Sequence, residues 1–436
     1  MTVQDKVKAK TITLQQLYDL IPDGAIIGSS GSSMEFRPFF RNLHTIADRL
    51  TKPVIIHGGV GGGDEKYPYF WDDAYKDKFH TWSGFYGGST RANHHRGVVS
   101  HLPTHLHASN ERFLDEYSYD VYIITGTPFD RHGISYNGLG CPSYRGIEGA
   151  KITVHVSNPN TRIVYGETEL YLDMFDYIIE DDGAVRTFEP GELTETDKTI
   201  GNYVASLVED GSTIQLGIGG IPDAVAQAFL SKNDLGIHTE MVTSSMADLV
   251  LAGVANGRKK TLHKYRLIGG FVSGSEKLID FVTQNASVHL YPFKYVNDPW
   301  VIAKNHKMCS INSCIEVDLS GQIASETIGP RQFSGTGGQN DTAEGAIHCP
   351  GGKSIIAFSS TVEKKDGSKL SKIVPMLTPG AVVTMSRNNI DYIVTEFGIA
   401  PMRGRTVRER VDNLIAIAHP DFRAELRAEA DRIKLW

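Results

Sequence analysis

The chain repeats itself, and that constrains its fold more than any single motif. Leu17-Tyr18-Asp19-Leu20-Ile21-Pro22-Asp23-Gly24, followed by Ile26-Ile27-Gly28, matches Val204-Ala205-Ser206-Leu207-Val208-Glu209-Asp210-Gly211, followed by Thr213-Ile214, 187 residues further on. Both read as a helix, an Asp-Gly turn and a strand. Phe129-Asp130-Arg131-His132-Gly133 matches Val317-Asp318-Leu319-Ser320-Gly321 at a separation of 188, and Asp176-Tyr177-Ile178-Ile179-Glu180 matches Asp391-Tyr392-Ile393-Val394-Thr395-Glu396 at 215. Three matches in one order, with a longer second copy, predict a tandem duplication. The boundary is expected in the polar stretch around Pro190-Gly191-Glu192-Leu193, giving domains 1–190 and 191–436.

Within each copy, Val121-Tyr122-Ile123-Ile124, Ile152-Thr153-Val154, Ile355-Ile356-Ala357 and Ala381-Val382-Val383-Thr384 lack polar alternation, as strands covered on both faces do. Helical stretches separate them. The expected fold class is therefore α/β, with two similar tandem open domains and mostly parallel sheets. Ligands of such sheets collect outside the carboxyl ends of the strands, so functional residues are expected on strand-to-helix loops and in a cleft between the copies.

A length of 436 residues suits two domains of about 200 residues each. With 40% apolar and 22% charged residues the chain is an ordinary globular protein, and a net charge of −7 argues against general affinity for nucleic acid or acidic membranes. The segment Met1 to Lys6 has no apolar signal stretch, and no apolar run approaches the ~20 residues that cross a bilayer, so a cytoplasmic protein is expected. Cys141, Cys309, Cys314 and Cys349 are scattered without a CxxC pair, which suits reduced, buried thiols and leaves a catalytic cysteine as a minor alternative.

The copies differ where chemistry is expected. Where the first has Ser29-Ser30-Gly31-Ser32-Ser33, the second has Gly217-Ile218-Gly219-Gly220-Ile221-Pro222. Glycines at a strand-to-helix turn leave main-chain N–H groups open to an anion or a carbonyl oxygen. The loop departs from a dinucleotide fingerprint at Pro222, where the third glycine would sit, so no NAD site is expected. A helix from about Pro222 to Lys232 follows, and a turn that merely tightens a strand–helix connection is the simpler alternative. Eighteen residues beyond Pro222 lies Glu240, after a short extended segment that can bring it over the loop.

Other acids of this copy, Glu316, Asp318, Glu326, Asp341 and Glu396, also sit near turns, and pattern alone does not choose among them; in the first copy the approximate counterpart of Glu396 is Glu180 or Asp181. Ser334-Gly335-Thr336-Gly337-Gly338-Gln339-Asn340-Asp341 can aim successive amides at one oxygen, as an anion nest or oxyanion hole, or be a surface loop. Glu363-Lys364-Lys365-Asp366 offers ammonium groups to phosphates or is a solvated turn. His94, His95, His101, His105 and His107 invite a metal, but Pro103 disfavours the helix that would align His101 with His105, and no metal site is expected.

Gly217 to Val225, Leu235-Gly236-Ile237-His238-Thr239-Glu240-Met241, Ser310-Ile311-Asn312-Ser313, Ser334 to Asp341, Val394 to Ala400 and Ile417 to Arg423 resemble the acetyl-CoA hydrolase/transferase family, in its 4-hydroxybutyrate CoA-transferase branch. The likeness is dense over 200–425 and thinner before 150. It implies paired α/β domains, with Glu240 as a nucleophile that becomes acylated and then carries CoA as a glutamyl thioester. It also implies CoA or oxyanion contacts from Gly217, Ile218, Gly219, Gly220, Ile221 and Gly338, with Asn297 and Glu396 lining the acyl site; Gly337 and Gln339 of the Ser334–Asp341 loop and the ammonium of Lys364 are further candidates for CoA from the readings above. No metal and no tightly bound cofactor are implied; coenzyme A is the co-substrate and the partners are a short-chain acyl-CoA and a small carboxylate such as acetate. A homo-oligomer, dimer or tetramer, is expected. The chain departs from its relatives at Val242-Thr243-Ser244-Ser245-Met246 and at Gly138-Leu139-Gly140-Cys141-Pro142-Ser143-Tyr144-Arg145, which leaves the acyl group open. The alternatives are an acyl-CoA hydrolase at the same site and, from another class, a non-catalytic sensor of a phosphorylated metabolite.

Overall fold

The computed structural model describes residues 2–58 and 69–435. The chain divides into two compact units, one of Met1–Phe188 with Gly270–Lys294, the other of Glu189–Gly269 with Tyr295–Trp436. Gly270–Lys294 thus joins the first unit from within the second half of the sequence, an excursion that a single boundary near 190 does not contain.

In the first unit, α1 (Leu14–Leu20) starts at a capping box in which Thr13 and Gln16 satisfy each other's main-chain N–H groups. It leads into β1 (Ile26–Ser29), followed by β2 (Val54–His57), β3 (Phe79–Ser83), β4 (Val99–His101), β5 (Val121–Gly126), β6 (Ile152–Ser157) and β7 (Tyr177–Glu180). These form one parallel sheet in the order β7-β6-β5-β1-β2-β3-β4. Ile27, Val54, Ile56, Phe79, Val121, Ile123, Val154 and Val156 are buried in its core.

The second unit opens with α2 (Glu195–Leu207), capped by Thr194 and Asp197, and β8 (Thr213–Leu216). Then come α3 (Gly220–Ala228), β9 (Gly236–Ile237), α4 (Ser244–Leu251), β10 (Met308–Asn312), α5 (Gln339–His348), β11 (Lys353–Ala357), β12 (Tyr392–Thr395) and β13 (Gly398–Pro401). The sheet order is β9-β8-β10-β11-β12-β13, parallel except for the β12–β13 hairpin. β1, β2, β5, β6 and β7 of the first sheet occupy the same relative places as β8, β9, β10, β11 and β12 of the second, so the duplication and the α/β class read from the sequence hold. In each sheet the chain extends to one side of its first strand and then crosses to the other. The reversal falls between β1 and β5 in one unit and between β8 and β10 in the other, and such points are where open sheets bind ligands.

The repeated motifs have a common physical cause. Asp23 accepts hydrogen bonds from the N–H groups of Thr51 (2.7 Å) and Lys52 (2.9 Å), and its counterpart Asp210 accepts from Asn233 N–H (2.9 Å). Asp130 accepts from His132 and Ile134, and Asp318 from Ser320 and Gln322, across turns closed by glycines of positive φ, Gly133 (77°) and Gly321 (96°). Asp176 accepts from Thr153 N–H at 2.9 Å and Asp391 from Ser354 N–H at 2.8 Å, each fastening the start of one strand to its neighbour. In each pair the aspartate is the residue that clamps main-chain donors in both copies.

One expected strand is absent. Ala381–Thr384 is irregular, with Val382 and Val383 exposed; Val382 N–H bonds the Thr327 hydroxyl and Thr384 N–H the Ile323 carbonyl. The Pro379-Gly380 turn (Gly380 φ 87°) carries the run past Thr327 and Ile323 without forming a ladder, so its β-branched residues cover no sheet. The helix expected over Pro222 to Lys232 starts two residues earlier and tightens into a 3₁₀ turn over Phe229–Ser231. Among the described residues no helix is long and apolar enough to cross a membrane. The four cysteines are free thiols.

Asp391 is 3% exposed and also pairs with Arg403 at 2.5 Å. Asp391→Ala removes a buried charged acceptor and is expected to cost about 2–3 kcal/mol, read as a lower midpoint in denaturant unfolding with the slope unchanged.

Candidate active site

The glycine loop follows β8, Glu240 follows β9 and Ser313 follows β10, whereas Glu396 follows β12 and Lys364 lies in a turn beyond β11. After β8 the chain turns through Gly217, whose N–H bonds the Ile311 carbonyl of β10 at 2.9 Å. Gly219 has φ 111° and ψ −178°, a backbone that a side chain would strain, and open space surrounds the position its Cβ would take. Gly220 begins α3, Pro222 is buried in its first turn, and Ile218 is 61% exposed. The loop therefore presents main chain to solvent at a helix start.

Glu240 follows β9, on a segment pinned from several sides. The N–H groups of His238 and Thr239 bond the carbonyls of Ile214 (3.1 Å) and Ile268 (2.9 Å). His238 Nε2 donates to the Val296 carbonyl at 2.8 Å, while burial lowers the imidazole to about 3, so this ring is a neutral strut. The buried Lys260 ammonium donates to the carbonyls of Ile237 (2.7 Å) and Arg266 (2.9 Å), and burial lowers it to about 7.

At the end of this segment the Glu240 carboxylate meets Gly338 and Asn297. Asn297 Nδ2 donates to Glu240 Oε2 at 3.3 Å, and the Gly338 N–H donates to the same carboxylate. Asn297 is fully buried, and its Oδ1 has no hydrogen-bond partner among the described residues. Gly338 is the N-cap of α5, so the carboxylate lies at the positive end of a ten-residue helix. A Cβ on Gly338 would stand 2.1 Å from both Glu240 Oε2 and Asn297 Nδ2, so the approach exists only because that residue has no side chain. Its φ of −95° would suit any amino acid; the side-chain space, not the backbone, demands glycine here. Burial, reinforced by the negative charge of Asp341, pushes the Glu240 carboxyl up to about 7, against the opposing pull of Asn297 and Gly338.

A buried polar network connects the glycine loop with α5. Gln215, on β8, accepts from Ser310 Oγ (3.1 Å) and Asn312 Nδ2 (3.1 Å) and donates to Asn312 Oδ1 (3.1 Å). Ser310 Oγ, whose one proton is shared between Gln215 Oε1 and Thr342 Oγ1, lies 2.9 Å from the latter, and Thr342 donates to the Gln339 carbonyl in the first turn of α5. Gln339 Nε2 reaches the Ser313 carbonyl just past β10 (3.2 Å). A Cβ on Gly217 would lie 3.2 Å from Asn312 Oδ1, so the loop rests directly on this network. Its members went unassigned in the sequence; the available signal was Gln215, a polar residue inside the buried run Thr213-Ile214-Gln215-Leu216, which requires partners.

The structure also sorts the rival acids. Glu316 accepts from Thr378 N–H and Oγ1, both at 2.8 Å; Asp318 closes its own turn; Glu326 takes the hydroxyls of Thr336 and Thr384. Glu396 accepts from Ser360 N–H (2.8 Å) and Oγ (2.6 Å). Each is occupied by donors that hold the loops. Gly337 takes the left-handed turn (φ 53°) just before Gly338, and Ile221 lies in the first turn of α3. Lys364 is exposed in the turn between Thr361–Glu363 and Lys369–Ser371, beside Asp366. In the first unit His94 Nδ1 bonds Tyr86 Oη and His101 Nδ1 faces the Ser83 carbonyl; among the described residues no cluster of His, Cys, Asp and Glu is arranged to hold a metal ion.

Family models for the acetyl-CoA hydrolase/transferase N-terminal and C-terminal domains match residues 2–190 and 274–430. The chain is 43% identical over 347 residues to 4-hydroxybutyrate coenzyme A transferase of Clostridium kluyveri, covering 79% of this chain and 80% of that one. It is 36% identical over 444 residues to the probable butyrate:acetyl-CoA coenzyme A-transferase of Syntrophomonas wolfei, covering 99% and 97%. The crystal structure of a 4-hydroxybutyrate CoA-transferase from Porphyromonas gingivalis superposes with a TM-score of 0.80 at 32% identity, over 99% of both chains. Fold and relatives together define an enzyme of the CoA-transferase class, which takes CoA as co-substrate. The chain belongs to the acetyl-CoA hydrolase/transferase family.

Gly338→Ala is expected to displace Glu240 and Asn297 and to lower kcat/KM about 100-fold, with near-native circular dichroism, because the backbone angle is permitted. A carboxyl whose folded-state value is raised binds its proton more tightly folded than unfolded, so its contribution to stability falls as pH rises from about 4.5 to about 7. Glu240→Gln removes that loss: the variant should be more stable than wild type at pH 8, by up to about 3 kcal/mol, with the difference vanishing below pH 4.5.

Proposed function

We propose that the protein is an acyl-CoA:carboxylate CoA-transferase that moves CoA between a short-chain acyl-CoA, such as butyryl- or 4-hydroxybutyryl-CoA, and a carboxylate such as acetate, with Glu240 as the nucleophile. The observation that carries this reading is the contact of a partly buried, raised carboxylate with the Gly338 N–H at the start of α5. A carboxylate stripped of water is a stronger nucleophile than a solvated one, and a value near 7 keeps about half of it ionised at neutral pH.

A Glu240 oxygen attacks the thioester carbonyl; the C–S bond breaks, leaving a mixed anhydride and CoA thiolate. The thiolate attacks the glutamyl carbonyl, its C–O bond breaks, and the acyl group leaves as a free carboxylate while CoA stays on Glu240 as a thioester. The acceptor carboxylate then runs both steps in reverse. Covalent catalysis divides one difficult exchange into easier ones. Each tetrahedral intermediate carries an oxyanion, and one well-placed N–H donor contributes roughly 3–4 kcal/mol to stabilising it. Supporting candidates for that donation are the amides from Ile218 to Ile221 and the Gly338 N–H. The distant parts of CoA do not react, yet their binding offsets the cost of bringing thiolate and carboxylate together. The butyrate and 4-hydroxybutyrate series is supported by the names of three relatives, two of which name the acetyl or acetate partner, while another, 41% identical, is named for succinyl-CoA and cyclohexane-1-carboxylate.

The test is to incubate the protein with butyryl-CoA, reduce with borohydride and map the modified peptide. Label on Glu240, absent in Glu240→Ala and growing with pH to half its maximum near pH 7, is the expected result; label on another acid, or none, rejects the reading. Product analysis with and without acetate separates transfer from hydrolysis, since a hydrolase consumes butyryl-CoA equally well without it.

A further inference from the structure

We propose that His238 is a positioning residue: its ring N–H holds the peptide that leads into Asn297, and thereby sets how closely Asn297 meets Glu240. The kinetic side of this inference rests on the transferase reading and deepens it, by naming a residue that acts through Asn297. His238 lies two residues before Glu240, and the carbonyl it grips, that of Val296, lies one residue before Asn297. A single 2.8 Å contact therefore closes a loop from one partner of the site to the other. Their direct contact, Asn297 Nδ2 to Glu240 Oε2, is the longer one at 3.3 Å.

The contact admits one form of the ring. A carbonyl oxygen only accepts, so Nε2 carries the proton and Nδ1 the lone pair. Nδ1 is buried and has no hydrogen-bond partner among the described residues. An unpaired buried nitrogen is costly, and a phenylalanine would avoid that cost but release Val296. Lys260 and His263 are the titratable groups that face the ring, and Asp341 is the charged group that faces Glu240. Burial, assisted by Lys260, lowers His238 to about 3, so the donor stays in place throughout the range in which Glu240 ionises. The gripped segment is also held one residue earlier, where His263 Nε2 lies 2.7 Å from Tyr295 Oη.

The first copy supplies an independent comparison. In the parallel ladders Ile27 of β1 pairs with Ile56 of β2, and Ile214 of β8 with Ile237 of β9. A histidine follows directly in each chain, His57 in one and His238 in the other, and burial lowers His57 to about 4. The bond it makes is different: His57 Nδ1 pairs with the Tyr119 hydroxyl at 2.7 Å, a side chain and not main chain.

Two residues beyond His57 the sequence has Gly59, where the second copy has Glu240. A neutral histidine at this place is thus common to both copies. The copy with the acid is the one whose histidine holds main chain beside an asparagine, and that asparagine is the one that donates to the acid.

The test compares His238→Phe, which keeps a ring and removes the donor, with His238→Gln, whose amide nitrogen reaches as far as ring Nε2. The first readout is the titration of Glu240 by ¹³C NMR of the glutamate carboxyls, without CoA, its resonance identified by its loss in Glu240→Gln. Donation from Asn297 favours the ionised carboxyl, so His238→Phe is expected to move the midpoint up from about 7 by roughly one unit, and His238→Gln to keep it. The second readout is kinetic. With butyryl-CoA and acetate, kcat is expected to fall roughly tenfold or more in His238→Phe with KM changed less than about twofold, and to recover to within about threefold in His238→Gln. A wild-type midpoint in His238→Phe, a shifted midpoint with unchanged kcat, or a His238→Gln as impaired as His238→Phe overturns the proposal. If His238→Phe does not fold, His238→Asn, one methylene too short to reach Val296, takes its place with the same expected and rejecting results. A midpoint that shifts in a protein without transferase activity keeps His238 as the residue that places Asn297 and rejects the transferase reading instead.

Discussion

The contact between the Glu240 carboxylate and the main chain at Gly338 is the interaction on which the rest of the site depends. It sets two demands that pull apart. A nucleophilic carboxylate needs little water around it, yet a carboxylate without water is costly unless donors replace the lost hydration. The Asn297 amide, the Gly338 N–H and the start of α5 supply those donors, and the remaining imbalance is visible as a carboxyl raised to about 7. Asp341, in the first turn of the same helix, pushes the value up and opposes full ionisation. The arrangement leaves the Glu240 carboxylate incompletely satisfied. It works only if neither partner drifts, and this accounts for the density of anchors behind it: Lys260 and His238 on the Glu240 side, the Gln215–Ser310–Thr342 network on the α5 side.

Those anchors stand on a frame that both copies share. The aspartates Asp23, Asp130 and Asp176 and their counterparts Asp210, Asp318 and Asp391 tie loops and strand starts in the same way in each unit. None needs a ligand, and all serve the turns that set strand spacing. Apart from β3, β4 and β13, which have no counterpart, the copies differ at strand ends: a serine-rich loop against a glycine-rich one, Asn158 against Ser360 as the donor to the acid after the last parallel strand. A frame whose hydrogen bonds are complete in itself lets its loops diverge without loss of fold.

Much of this was legible in the residues. The duplication, the parallel strands at Val121 and Ile355, and the turn at Gly219 follow from period, β-branching and glycine. The choice of Glu240 among six acids did not follow from pattern, because what separates it from Glu316, Glu326 and Glu396 is the company each keeps after folding: hydroxyls and amides occupy the others. The role of Gly338 was open between nest and surface loop, since the reason for glycine there is a neighbour 98 residues earlier in the chain. Ala381–Thr384 misled because β-branched composition reports a preference for extended backbone, not the presence of a partner strand. The passage of Gly270–Lys294 into the first unit left no compositional mark at all, since its strands and helix look like those on either side.

Buried polar atoms carry a further lesson about how such a chain divides its labour. Asn297 Oδ1 on the α5 side of Glu240, and Ser33, Thr125 and Thr161 in the first unit, are left without protein partners, whereas the aspartate clamps and the Gln215 network are fully bonded. Selection for stability alone would remove such atoms, because a methyl of the same shape costs nothing there and an unpaired hydroxyl costs about 1–3 kcal/mol. They are confined neither to one unit nor to loops: Thr213 Oγ1 on β8 and His155 Nδ1 on β6 share the condition. The same fold thereby carries unpaired polar atoms in both copies and, in the second, a carboxyl that burial raises to about 7.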